Sequence, residues 1–333
     1  MRICIIGAGA IGGMLGAKLA LAGETVTFID KNEAHAHAMR TQGLRLEIDG
    51  GEVTAKDFTV TGDLAEAGEQ DVVVIAVKAH QIPLLVPDIR KLFGPNTIVL
   101  SVQNGVPWWY FFKHGGPFDG RRIVAVDPSG AIDEAIERER IVGCIVYPAA
   151  EVTAPGVIHV VEGNRFSVGE LDGSHSERVE ALAAMLIRAG FKSYVLDDIR
   201  GEIWLKLWGN LSFNPISALT HQTLAGMCRN PHTRELAASM MREAQQIGEK
   251  LGITFRHTIE KRLAGAEGVG EHKTSMLQDI EAGRAPEIEA LVGAVVELGR
   301  LTETPTPHID SVYAAVKGLE ETLARRASVA VTA

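Results

Sequence analysis

Three polar residues stand four apart in "KLWGNLSFNP", residues 206 to 215: Lys206, Asn210 and Asn214, with a proline closing the run. On a helix, positions i, i+4 and i+8 share nearly one face, drifting by roughly 40° per step. The side chains therefore form one stripe, an ammonium followed by two amides, on a segment otherwise rich in Leu, Trp and Phe. Such groups need partners, because an amide left unpaired out of water costs on the order of 1–3 kcal/mol and a charge costs more. Either the stripe faces bulk solvent, as a snorkelling lysine would, or it lines a polar site.

A second constellation lies near the N-terminus. Gly7, Gly9 and Gly12 form G-x-G-x-x-G between the β-branched run "RICIIG" and a stretch with Ile11, Leu15, Leu19 and Ala22 at helical spacing. Gly7 permits a tight turn, Gly9 lets a pyrophosphate approach the backbone, and Gly12 lets helix pack close to strand. The backbone of Gly7, Ala8, Gly9, Ala10, Ile11 and Gly12 would then cradle the phosphates of a dinucleotide at the helix start. "TVTFID" supplies a second strand ending in Asp30. Its carboxylate can accept from both ribose hydroxyls and would repel a 2′-phosphate, which leans toward NADH, whereas Lys31 could balance that phosphate. The competing use of Asp30 is capping a helix that starts near Asn32. The same N-terminus imitates a signal peptide, with Arg2 before an apolar run, but glycines interrupt that run and the phosphate cradle explains it better.

The elements that must hold these residues are legible in outline. "DVVVIAV" (71–77) and "NTIVLSV" (96–102) read as buried strands of one parallel sheet. Lys78 follows the first and Asn104 the second, both beyond strand ends, where ligands of open α/β sheets bind. Asn104 with Gly105 is also a plain turn signal. The aromatic run Trp108, Trp109, Tyr110, Phe111 and Phe112 could wall a pocket, pack into a core, or form an oligomer contact such as a homodimer interface. "CIVYPA", "GVIHVVEG" and "RFSVGE" read as short strands, and "SERVEALAAMLIRAG" as an amphipathic helix leading to a last strand, "KSYVL". From Asp198 onward strand signals vanish. The expectation is an α/β, Rossmann-type N-terminal domain with a parallel sheet at residues 1–197, then an all-α domain at 198–333 whose first helix starts near Ile199.

Size and charge bound the function. A chain of 333 residues suggests two domains, and 46% hydrophobic with 23% charged residues is ordinary for a soluble globular protein. A net charge of −9 argues against nonspecific nucleic-acid binding. Cys4, Cys144 and Cys228 are widely spaced and lack a CxxC, so neither a disulfide framework nor a zinc site is expected, and a reducing cytoplasm is the simpler home. No stretch approaches the roughly 18 apolar residues that span a bilayer. The histidines lack paired ligand spacing, so no metal is implied, and no G-x-S-x-G appears.

The glycine-rich start, "VKAH", "QNG", "APGVIHV", "EIWLKLWGNLSFNPISALT" and "HKTSMLQDIEAGRAPEIEALVG" together resemble the ketopantoate reductase family over nearly the whole chain. The K-x-x-x-N-x-x-x-N-P run with a downstream S-M-L-Q-D is far more specific than the glycines. The resemblance implies a Rossmann-type domain followed by a helical domain with substrate in the cleft between them. It also implies NADPH-dependent reduction of a 2-oxo acid, ketopantoate, to a 2-hydroxy acid on the route to pantothenate. Carried over by position, it makes Lys206 the catalytic lysine and Glu287 an acidic residue of substrate binding and catalysis. It places Asn104, Asn210, Asn214 and Ser275 around substrate and cofactor, and Lys78 near the nicotinamide. On the residues alone, Glu289 rivals Glu287 and Ser275 could be a helix cap. Three departures from the family pattern stand out: Asp30 where a basic environment is favoured, Pro286 directly before Glu287, and the rich aromatic run after Asn104.

The implied chemistry fits these side chains. Hydride arriving at a ketone carbon leaves negative charge on oxygen, which needs a donor and finally a proton. Lys206 can supply both, and the neutral amides and Ser275 can hold a carboxylate without moving its charge. Two rival readings are a reductase of a bulkier or aromatic 2-oxo acid and a dinucleotide-sensing regulator without catalysis.

Overall fold

The computed structural model describes residues 1–332, and side-chain surroundings for residues 1–326. The chain folds as two units, one of residues 1–103, 108–122 and 129–199, the other of 104–107, 123–128 and everything from 200 onward. The two short upstream segments join the helical unit because their backbone donors are satisfied there. Val106 N–H donates to the Ala290 carbonyl at 2.9 Å, and Val124 and Ala125 N–H donate to the Glu297 carboxylate at 2.9 and 2.8 Å.

The first unit contains β1 (Arg2–Ile6), β2 (Thr25–Ile29), β3 (Leu44–Ile48), β4 (Gly51–Ala55), β5 (Phe58–Thr61), β6 (Gln70–Ile75), β7 (Phe93–Ser101), β8 (Ile141–Val146), β9 (Ala149–Ala154), β10 (Val157–Glu162) and β11 (Phe166–Gly169). One sheet runs β11-β8-β7-β6-β1-β2-β5. All its pairings are parallel except the edge pair β11–β8. Strand order reverses between β1 and β6, which makes the carboxyl ends of those two strands the topological switch point of a Rossmann-type sheet. A second sheet, β4-β3-β10-β9, belongs to the same unit. Its β3–β4 hairpin is absent from the sequence expectation, and β4 is exposed along most of its length, so it carries little apolar signal.

Helix α1 (Ala10–Leu21) is apolar except for Lys18, and its residues from Gly12 to Ala17, with Leu19 and Ala20, are buried. A Cβ at Gly16 would sit 2.4 Å from the Phe28 ring of β2, and one at Gly13 would sit 2.3 Å from Ile158 of β10. Helix α2 (Glu33–Gln42) follows β2. The expected last strand at "KSYVL" is a correction: residues 192–196 run beside β11 through two isolated bridges, Lys192 with Arg165 just before that strand and Val195 with Val168 within it, and are not a strand of the sheet. The aromatic run resolves toward packing. Trp108, Trp109, Tyr110 and Phe111 are buried, Tyr110 and Phe111 meet edge to face at 5.0 Å, and the Trp109 ring occupies the space beside Gly143 of β8.

Among the described residues the second unit is helical throughout, with long helices at Ile199–Thr220, Pro231–Lys250 and Pro307–Thr332 and shorter ones at Ile259–Val269, Ser275–Glu281 and Ala294–Leu301. Trp204 and Trp208 anchor the apolar side of the Ile199–Thr220 helix: Trp208 stacks on Phe255 at 4.4 Å and its indole N–H donates to the Met241 carbonyl at 3.1 Å. Cys4, Cys144 and Cys228 are buried and form no disulfide, and burial pushes the Cys4 thiol up to about 12. No helix among the described residues is long and apolar enough to cross a membrane.

Candidate functional site

The glycine turn sits at the switch point, with Ile6 of β1 in register with Ile75 of β6. Its glycines are required for different reasons. Gly7 has φ +96°, and a Cβ there would press on Val77 and the Ala76 backbone at 3.0–3.2 Å. At Gly12 a Cβ would lie 2.0 Å from the Gly7 carbonyl oxygen and 2.8 Å from the Ala76 methyl. Gly9 is unlike both: its φ of −62° and ψ of −169° suit any residue, and a Cβ there meets nothing within 4 Å. Nothing in the protein demands a glycine at position 9, so the open space in front of it fits the close approach of a pyrophosphate. Helix α1 makes its first internal bond from Gly13 N–H to the Gly9 carbonyl at 2.7 Å, so the N–H groups of Ala10, Ile11 and Gly12 lie in the orphan first turn that attracts anions.

Ala8, expected among the cradle residues, is fully buried and has both backbone groups engaged inside the protein. Its N–H donates to one Asp30 carboxylate oxygen at 2.9 Å, and its carbonyl meets the His35 Nε2 at 3.0 Å. It shapes the turn and offers no donor to phosphate. The other Asp30 oxygen accepts Asn32 N–H at 2.8 Å, while the cap of α2 is Asn32, whose side chain accepts His35 N–H at 3.2 Å. The Asp30 side chain is thus held by two backbone donors at the end of β2, beside the glycine turn, with Lys31 exposed next to it. Lys78, half-buried, directly follows Val77, the residue packed on Gly7, and its backbone N–H is received by Gln81 Oε1 at 3.1 Å. Sequence reasoning missed Gln103, which ties the ends of β6 and β7 by donating to the Ile75 and Val77 carbonyls at 2.6 and 3.0 Å. A polar residue immediately after a buried strand was its only signal.

In the second unit, the polar stripe lies on the Ile199–Thr220 helix as its spacing requires. Lys206 and Asn210 are half-buried and Asn214 is buried. Asn214 Nδ2 reaches the Ser275 hydroxyl at 3.5 Å, joining the amide end of the stripe to an exposed serine in the first turn of Ser275–Glu281. Thr274 caps that helix by accepting Leu277 N–H at 3.2 Å, which leaves Ser275 out of the capping role. Gly209 shares the Lys206 face, and its missing Cβ is filled by Arg262, whose guanidinium nitrogen lies 2.0 Å from where that atom would be. A cation packed at Gly209, three positions after Lys206, was not anticipated, although a glycine inside a helix, costing about 1 kcal/mol against Ala, signals close approach.

Asn104 and Glu287, 183 positions apart, belong to segments that meet in the second unit. Gly105, with φ +88°, backs onto Ala290 so tightly that a Cβ would lie 2.3 Å from the Ala290 carbonyl oxygen, the same oxygen that accepts Val106 N–H. Residues Glu289–Gly293 form a π-helical turn, marked by the Ala294 N–H bond back to the Glu289 carbonyl, a feature frequent at functional sites. Glu289, the rival carboxylate, accepts the Tyr313 hydroxyl at 3.0 and 2.9 Å and the Lys317 ammonium at 3.0 Å. Burial and the Glu289 charge together raise the Tyr313 pKa. Glu287 precedes the helix, half-buried, behind the buried Pro286.

A Rossmann-type sheet with an open glycine cradle, in a chain whose second unit carries a lysine–asparagine stripe beside a serine, defines a two-unit dinucleotide-binding protein. The ketopantoate reductase PanE/ApbA family model matches residues 3–173, and its C-terminal counterpart matches residues 198–320. The chain is 54% identical to a 2-dehydropantoate 2-reductase of Mesorhizobium japonicum over 96% of its own length and 98% of that protein. It superposes with TM-score 0.91 and 41% identity on a candidate ketopantoate reductase from Ralstonia solanacearum MolK2, covering 97% of this chain and 98% of that one. A D-mandelate dehydrogenase solved with NADH and anilino(oxo)acetate shares the fold, with TM-score 0.82 at 23% identity over 97% of this chain and 99% of that one. The chain belongs to the ketopantoate reductase family.

Proposed function

We propose that this chain catalyses the NAD(P)H-dependent reduction of 2-dehydropantoate to pantoate, a 2-oxo acid to a 2-hydroxy acid. The observation that carries the reading is the Lys206–Asn210–Asn214 stripe with Asn214 bonded to Ser275, in a chain 54% identical to a protein of that name. The reduced nicotinamide supplies the hydride. Lys206 donates a hydrogen bond to the 2-oxo oxygen, stabilises the alkoxide that forms there, and gives up its proton to it. Asn210, Asn214 and Ser275 orient the substrate through neutral hydrogen bonds, and Glu287 grips a substrate hydroxyl or pairs with Lys206. Asn104 and Lys78 hold the cofactor, whose phosphates lie on the first turn of α1. Because two backbone donors hold the acidic Asp30 side chain in place at this strand end, a free 2′-hydroxyl is favoured over a 2′-phosphate, and NADH is used at least as well as NADPH.

The test is a steady-state assay with 2-dehydropantoate and with an aromatic 2-oxo acid, each run with NADH and NADPH. Turnover of 2-dehydropantoate in clear excess supports the proposal. Preference for the aromatic acid moves the substrate assignment, a strong NADPH preference overturns the reading of Asp30, and no turnover of either acid overturns the whole.

A further inference from the structure

The buried ring of His35 stands between two backbone segments that are distant in sequence. It is 4% exposed, its Nδ1 lies 3.0 Å from the N–H of Gly156 in the β9–β10 turn, and its Nε2 lies 3.0 Å from the Ala8 carbonyl in the glycine turn. A backbone N–H can only donate, so Nδ1 must be the bare, accepting nitrogen; a carbonyl can only accept, so Nε2 must carry the proton. The neutral Nε2–H tautomer alone satisfies both partners. On its other side the Ala8 peptide N–H is held by Asp30 at 2.9 Å, so the residue between Gly7 and Gly9 is clamped through both its backbone groups. Gly156, with φ +73°, is itself anchored by its carbonyl, which accepts Arg45 N–H at 2.9 Å on β3. The second sheet therefore braces the glycine turn through one imidazole.

We propose that His35 is a positioning residue for the dinucleotide: by fixing the Ala8 peptide from the second sheet, it sets the direction in which the Gly9–Gly12 backbone meets the pyrophosphate. The inference rests on the dinucleotide part of the proposed function and is independent of the 2-oxo acid.

The experiment compares the parent chain with His35→Gln and His35→Phe, measuring NADH and NADPH dissociation constants by calorimetry without substrate, alongside kcat and both KM values. Gln can accept from Gly156 and donate to Ala8, whereas Phe keeps the ring volume and loses both bonds. The expected order of affinity is parent, then Gln, then Phe, with Phe weaker than the parent by about tenfold. The KM for the 2-oxo acid and kcat at saturating cofactor stay nearly unchanged. A space-filling role predicts the reverse order, with Phe tolerated better than Gln, and that result overturns the inference. Parental affinity in both variants overturns it equally, while a parent that binds no dinucleotide overturns the cofactor reading as well. Should either variant fail to fold, the nitrogen NMR spectrum of the parent ring decides. A bare Nδ1 with a protonated Nε2 supports the clamp, and the opposite tautomer or an imidazolium refutes it.

Discussion

Replacing Gly9 with Ala separates the space a protein needs from the space a ligand needs. Two small terms act on the unliganded chain. Gly9 is the N-cap of α1, where Ala is a poorer residue by roughly 0.5–1 kcal/mol. Its extended backbone suits Ala without strain, and the lost freedom of the unfolded chain returns about 0.4–1 kcal/mol. With no atom within 4 Å of the new methyl, nothing else contributes, and the melting temperature of the unliganded protein should barely move. The bound state differs, because the methyl stands where the pyrophosphate must approach. Overpacking of about 1–3 kcal/mol, at 1.4 kcal/mol per tenfold, weakens NAD(P)H binding roughly 5- to 150-fold. Thermal unfolding without ligand and calorimetric titration with NADH and NADPH read the two effects separately. Gly12→Ala is the contrasting variant: its methyl would lie 2.0 Å from the Gly7 carbonyl oxygen, so stability and binding fall together. A Gly9→Ala protein with parental cofactor affinity would refute the placement of the dinucleotide on this turn.

Other consequences are equally concrete. Lys206→Ala should lower kcat by about 10²- to 10⁴-fold while cofactor affinity by calorimetry stays near that of the parent. Ser275→Ala, which removes the partner of Asn214, should raise the KM for the 2-oxo acid roughly 2- to 10-fold, with the melting temperature kept because Thr274 holds the cap. Gly105→Ala must adopt φ +88° and push its methyl against the Ala290 carbonyl; the strain and the overpacking sum to about 2–6 kcal/mol of lost stability, read by calorimetric melting. The buried Glu170 carboxylate is raised by desolvation, yet bonds from Arg178 and Ser176 outweigh this and hold its pKa below the usual value. Its stabilisation is therefore present above the unfolded carboxylate pKa and lost as pH falls through the lower, folded one. Glu170→Gln should flatten that acid limb in melting temperature against pH, and an unchanged limb would show that the pair contributes nothing.

How far these residues were legible depended on the range of the interactions that hold them. The strand, glycine turn and helix at the N-terminus are consecutive in the chain, so spacing and glycine chemistry revealed them, as helical periodicity revealed the stripe at Lys206, Asn210 and Asn214. Asp30 could be placed at the end of β2, but not its bond from Ala8, because Ala8 lies 22 positions away and meets it only when β1 pairs with β2. Glu287 and Glu289 were equal on the residues alone; the Pro307–Thr332 helix separates them by delivering Tyr313 and Lys317 to Glu289. Ser275 could be read as a helix cap from the sequence, and the structure gives that role to Thr274 instead. Periodicity thus determined which local elements form and which faces they present. Only the packing of segments far apart in sequence decided which partners each of two neighbouring polar groups meets, since those partners are encoded in no local pattern.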